Sequence, residues 1–147
     1  MFLTAPNISF ELNIAGYQFP AEETADYDSN WLVMKGVVVH PRGNWQFLDP
    51  LLLTYEVSRL ADWLDALDQM PNSESTLAFI EPNLEFALLT SAETSVLRIA
   101  FALESRPPWV EVGEDWHIDF PIRGLDLTAA ATSLRQQLSL YPQRARQ

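Results

Sequence analysis

The side chains best suited to proton transfer are two histidines, His40 and His117, and a surplus of carboxylates. His40 falls in the turn His40-Pro41-Arg42-Gly43-Asn44, and His117 falls on the polar side of a strand, so their spacing does not pair them. The bland reading of both is a surface imidazole. Paired acids could serve as general acid and base, but Glu81 with Glu104 and Asp115 with Asp119 are pairs that any acidic chain supplies by abundance. Glycoside chemistry also needs a cleft and a set carboxyl separation. The chain has no cysteine, which excludes disulfides, thiolate metal sites and a cysteine nucleophile. No H-E-x-x-H helix or G-x-S-x-G elbow is present, and five glycines leave little for a phosphate-cradling loop. The inventory predicts no catalytic set, no metal and no cofactor.

Charge points instead to binding. Twenty acidic residues against nine basic ones give a formal net charge of −11. Such a chain repels nucleic acid and anionic lipid and attracts basic partners. A nucleic-acid surface would interleave aromatic and basic residues. Here the basic residues are few and scattered. Of the five tryptophans, Trp31, Trp45 and Trp116 fall in strands and Trp63 on a helix, where core packing is the expectation. Trp109, after Pro107-Pro108, is expected to be the exposed one. Two acidic stretches lack apolar period and are read as exposed loops. Glu22, Glu23, Asp26 and Asp28 lie in one, and Glu111, Glu114 and Asp115 in the other. These seven are the candidate partner-binding residues, against the bland reading that they only keep the chain soluble.

The elements that must hold those loops are readable from periodicity. Thr54 to Asp68 is the clearest helix. Val57, Leu60, Ala61, Leu64 and Leu67 form its apolar stripe, with Thr54 as N-cap, Glu56 in the first turn and Pro71-Asn72 at its close. Asp62, Asp65 and Asp68 lie off the stripe and read as a solvated face. Ile8 to Ile14 alternates as a half-buried strand. Asn30 to His40 is apolar on both faces and reads as a central strand covered on both sides, with Gly36 marking a bulge or a close contact. Trp45-Gln46-Phe47 returns as its hairpin partner, and Asp49-Pro50 is expected to end it. Thr76 to Ile80 and Leu84 to Leu89 flank a Glu81-Pro82-Asn83 turn. Ser95 to Glu104 and the stretch around Trp116, Ile118 and Phe120 complete the strands. A second helix follows, capped by Asp126, with Leu127, Ala130, Ala131, Leu134, Leu138 and Tyr141 as its stripe and Pro142 as its stop.

The expected fold is α+β: a mostly antiparallel β-sheet of about seven strands with two amphipathic α-helices packed on it. Its 147 residues suit a single domain, 1–147, with 143–147 read as a tail that need not order. Met1 to Pro6 lacks the pattern of a signal peptide, and no run approaches membrane-spanning length. A cytoplasmic, soluble protein is the expectation, with no membrane and no nucleic acid among its partners.

An ordered set of residues carries a resemblance. It begins at Tyr27-Asp28-Ser29-Asn30-Trp31-Leu32 and returns at Asp49-Pro50, then at Leu52-Leu53-Thr54-Tyr55-Glu56-Val57 with Leu60 and Trp63. It continues at Phe79-Ile80-Glu81-Pro82-Asn83-Leu84-Glu85-Phe86, at Glu104 with Pro107 and Trp109, and at Tyr141-Pro142 with Arg144. In order and spacing these resemble the WapI family of bacterial immunity proteins, over nearly the whole chain. The resemblance implies a cytosolic protein that binds and neutralises the C-terminal domain of a cell-wall-associated, contact-dependent toxin, often a nuclease acting on RNA. It brings no catalytic residues.

Three readings compete. The first is a non-catalytic acidic binding protein whose partner is a cognate, basic toxin domain. The second is a self-associating structural or ligand-binding protein, as a homodimer through an open sheet edge. The third is an enzyme using carboxylates, which would require a deep pocket with convergent acids.

Overall fold

Alternating apolar residues build most of the secondary structure, as the sequence implies, but they are shared between two sheets. The computed structural model describes residues 1–19, 26–70 and 73–144. β1 (Phe2–Ala5), β2 (Ile8–Tyr17), β3 (Trp31–Val39) and β4 (Trp45–Leu53) form one four-stranded antiparallel meander, followed by α1 (Thr54–Gln69). The same order then recurs. β5 (Ser75–Ala78), β6 (Leu84–Thr90), β7 (Ser95–Phe101) and β8 (Trp116–Pro121) form a second four-stranded meander, followed by α2 (Leu127–Leu140). The α+β class holds, with eight strands in two sheets where one sheet of about seven was expected. No helix among the described residues is long and apolar enough to cross a membrane.

The structure adds one strand and corrects three expectations about the others. β1 shows no sustained alternation because it has only four residues. A two-residue turn, Pro6-Asn7, pairs it with β2, and Asn7 takes the positive φ of 68° that this position requires. Asp49-Pro50 does not end β4, which runs on to Leu53. β4 is an edge strand, and Pro50 sits next to a register shift, a place where a missing N–H is tolerated. β3 is an inner strand of its sheet, yet only the Leu32, Met34 and Val38 face is buried, while Val39 on the other face is exposed. The strand expected to reach Glu104 stops at Phe101.

One continuous apolar cluster draws on both sheets and both helices. Phe101 joins the sheets directly, with its ring 5.4 Å from Phe10 and 6.3 Å from Phe47. The α1 stripe is buried throughout, and Leu127, Ala130, Ala131 and Leu134 of α2 are buried beside it. Asp126 caps α2 by accepting the Ala129 N–H at 2.9 Å. At α1 the cap is Leu53, one residue before the expected Thr54. The off-stripe acids of α1 face its neighbour: Arg135 of α2 donates to Asp62 at 2.9 Å and Asp65 at 2.5 Å, and Thr128 donates to Asp68 at 3.3 Å. Pro71 and Asn72, expected to close α1, lie outside the described residues, as do residues 145–147.

Candidate functional site: an acidic surface beside the end of β4

A buried carboxylate organises this region. Glu56 is 0% exposed. Its Oε2 accepts the N–H of Leu53 at 2.9 Å, one of the donors that the start of α1 leaves without a helical partner. Its Oε1 accepts the N–H of Ile80 at 2.8 Å. Leu53 has no side-chain acceptor to return the bond, so this is half of a capping box, and the spare oxygen ties α1 to the turn after β5. That turn presents Ile80, 55% exposed, and the exposed carboxylate of Glu81.

A second acid is delivered by the short 3-10 turn Leu103–Ser105. Leu103 has φ 53°, a left-handed conformation that a bulky side chain rarely adopts. The surrounding bonds over-determine it. The Asn83 carbonyl accepts the Ala102 N–H at 2.9 Å and also the Ser105 hydroxyl. The Trp45 indole N–H donates to the Ser105 carbonyl at 2.9 Å. The buried Asn83 side chain donates to Glu104 at 2.6 Å. That bond is the main reason the Glu104 carboxyl sits below its ordinary range.

Asp49 of β4 completes the group. Its carboxyl is pushed above the usual range, first by partial desolvation and then by the charges of Glu104 and Glu81. Like charges held close cannot all ionise freely. A basic group beside Asp49 would lessen that repulsion. Among the described residues, no group of three or more His, Asp and Glu side chains is placed to hold a metal ion.

The residues singled out from the sequence lie elsewhere. Asp26 and Asp28 are exposed just before β3, and Asp26 is engaged locally, its Oδ1 accepting the Ser29 N–H at 3.0 Å. Glu22 and Glu23 lie outside the described residues. Glu111, Glu114 and Asp115 are exposed in the loop before β8, where Glu114 accepts the Glu111 N–H at 3.2 Å. This loop lies near the far end of β3, since Trp116 packs 5.6 Å from His40. β3 has nine residues, which separates the two acidic loops by roughly 25–30 Å. They are two patches.

The aromatic expectation also needs correction. Trp109 is half-buried, packed edge-on between Trp45 at 5.4 Å and Trp116 at 5.5 Å, and the Arg42 guanidinium lies 5.8 Å from its ring. His117 is on the opposite, outward side of β8, 4.0 Å from Asp119, so the two histidines are not paired. At the other end of the molecule, the Asn30 Oδ1 accepts from Thr54 at 3.3 Å and from the Arg144 N–H at 2.7 Å. The Tyr17 hydroxyl donates to the Pro142 carbonyl at 2.5 Å. There the hydroxyls of Tyr27 and Tyr55 meet at 3.2 Å, and that hydrogen bond is the main cause that pushes Tyr55 up to about 12.

Asn30, Glu56, Asn83 and Arg144, all within the ordered set that carries the family resemblance, thus close loops and helix ends. Sequence reasoning mentioned Glu81 and Glu104 without weight and missed Asp49. The only signal in the sequence is that Asp49 and Glu81 each directly precede a proline. A family model described as the immunity protein WapI-like family matches residues 1–142. No curated protein matches the chain.

Proposed function

The chain belongs to the WapI-like immunity protein family, and from that premise we propose that it is a non-catalytic inhibitor that covers the active surface of one cognate toxin domain. A toxin-immunity role in general follows from the family. The observation that carries it is the family match over residues 1–142. The finer reading is that the toxin domain is a ribonuclease, basic where it meets phosphates, and that this chain meets it with carboxylates. The net charge of −11 supports steering of that kind, since complementary potentials raise association rates. The crowding of Asp49, Glu81 and Glu104, with exposed Ile80 beside them, supports a contact centre there. The loops holding Asp26, Asp28, Glu111, Glu114 and Asp115 are the flanking contacts. On this reading the protein works in the cytoplasm, as a single domain, before the toxin reaches its RNA.

The test is to mix the chain with candidate toxin C-terminal domains and to follow both binding and RNA cleavage. One-to-one binding with loss of cleavage is expected. The double charge reversal Glu81→Lys with Glu104→Lys should weaken binding, more at low salt than at high salt. Cleavage that continues at saturating inhibitor would overturn the inhibitor reading. Full protection by the double variant would move the contact centre elsewhere.

A further inference from the structure

The outer face of the β1–β4 sheet is apolar along β3 and β4, and α2 borders it only at the β2 edge, where Gln137 donates to the Asn13 side chain at 3.0 Å and Ser133 accepts from the Met1 ammonium at 2.9 Å. Phe2 is 57% exposed, Val39 42% and Leu48 62%, with Val33 and Val37 half-exposed among them. The strand register places all five on this face. None of the large exposed apolar side chains lies on β5 to β8, whose outer face instead carries the Arg98–Asp119 pair at 2.8 Å. Apolar groups that cluster on a sheet face mark a contact surface.

Charge decides what the contact is. On a chain of net charge −11, most surfaces repel a second copy. The charged side chains of β1 to β4 on this face are Glu11 and Lys35, the only lysine in the sequence, and the Met1 ammonium, held by Asn13 at 3.2 Å on the β2 edge, also acts on Glu11. Glu11 lies across from Val37, and Lys35 lies across from Asn13 and Leu48. The two charges are therefore diagonal neighbours on adjacent strands, roughly 7–8 Å apart. The Asn13 side chain donates to the Glu11 carboxylate at 2.7 Å and fixes its position. A basic toxin surface would find no excess of negative charge here. A second copy finds a match.

We propose that this face is a homodimer interface, two copies packing sheet against sheet about a two-fold axis that passes between Glu11 and Lys35. That axis sets Glu11 of each copy against Lys35 of the other, giving two ion pairs inside an apolar surround. Three strands of ~30 Å and the four-residue β1, at ~4.8 Å spacing, give a footprint of roughly 500 Å² per copy, about 1,000 Å² in all, the lower end for a specific contact. The dimer is accordingly a weak one, and it leaves the surface around Asp49, Glu81 and Glu104 free. The proposal goes beyond toxin inhibition and is tested without any toxin.

The experiment is sedimentation of the full chain over a concentration series. The mass should rise from 16.7 kDa toward twice that value. Leu48→Asp should weaken dimerisation at least about 10-fold with an unchanged melting temperature. Glu11→Lys and Lys35→Glu should each weaken it, and the two together should restore it. Zero-length carbodiimide cross-linking should join Lys35 of one copy to Glu11 of the other. A chain that stays monomeric at about 1 mM overturns the proposal, because even a weak contact of this size forms there. So does a dimer indifferent to Leu48→Asp and to the charge swap. A monomer whose toxin binding is lost in Leu48→Asp would assign the face to the toxin and also overturn it.

Discussion

The ring of Phe47 lies directly over Gly36, its register partner across the β3–β4 ladder. A Cβ at Gly36 would overlap that ring, so the glycine is what lets Phe47 fold flat against its sheet and reach Phe101 at 6.3 Å. Gly36→Ala should destabilise by ~1–3 kcal/mol through overpacking. Adding Phe47→Leu should recover part of that loss, because the two residues share one space. Chemical denaturation of the two single variants and the pair measures it. Strict additivity would show that the ring can simply move aside.

Glu56 satisfies two backbone donors with one buried side chain. Glu56→Ala removes the acceptors of both donors. Each buried donor left without a partner costs ~1–3 kcal/mol, so a loss of about 2–6 kcal/mol is expected. Hydrogen exchange should report faster exchange at the Leu53 and Ile80 amides in particular. A loss confined to the Leu53 amide would mean that α1 and the 80–83 turn are held together by other contacts.

Leu64 is fully buried at the middle of the α1 stripe, inside the cluster shared by both sheets and both helices. Leu64→Ala should cost ~2–5 kcal/mol. Because the cluster is continuous, the variant should shift one unfolding transition rather than split it, with fluorescence and circular dichroism giving coincident curves. Two separated transitions would mean that each meander with its helix unfolds alone.

The crowded acids predict a sign for pH dependence. The Asp49 carboxyl in the folded chain lies above its ordinary 3.8, so the folded state holds that proton more tightly than the unfolded state. Stability from this side chain is present below 3.8 and is lost as pH rises through the folded value. Asp49→Asn should therefore raise the melting temperature at neutral pH, and the gain should vanish below 3.8. Glu104 runs the other way. Its carboxyl lies below its ordinary 4.5, so its contribution is present above 4.5 and is lost as pH falls through the folded value. Glu104→Gln should cost stability at neutral pH and little in acid. Melting curves between pH 3 and 7 would decide both.

The two acidic loops lie at opposite ends of β3, too far apart to share one group on a partner. If both contact the toxin, reversing Asp26 and Asp28 and reversing Glu111, Glu114 and Asp115 should have additive effects on binding free energy. Calorimetry on each set and on the combination tests this. A combined effect well short of the sum would point to one loop in contact and the other acting only through long-range charge.

The sequence by itself determined what is written in short-range period. The α1 stripe from Val57 to Leu67, the Asp126 cap of α2 and the alternation of β2 and β8 all repeat within a few residues, so each is legible where it stands. The absence of cysteine and the net charge are properties of composition and needed no fold. The set from Tyr27 to Arg144 carried the family, although its residues prove to be loop clamps such as Asn30 and Glu56. Only the tertiary structure divided the strands into two meanders, since the alternation of a strand is the same whichever neighbour it pairs with. It showed β1, which at four residues is too short to display a period. It also brought Asp49 within reach of the charges of Glu81 and Glu104. They come from an edge strand and two separate turns, joined through the side chains of Glu56 and Asn83 and the hydroxyl of Ser105. Charge acts through space, and three acids far apart along the chain become one surface only when those buried bonds have closed.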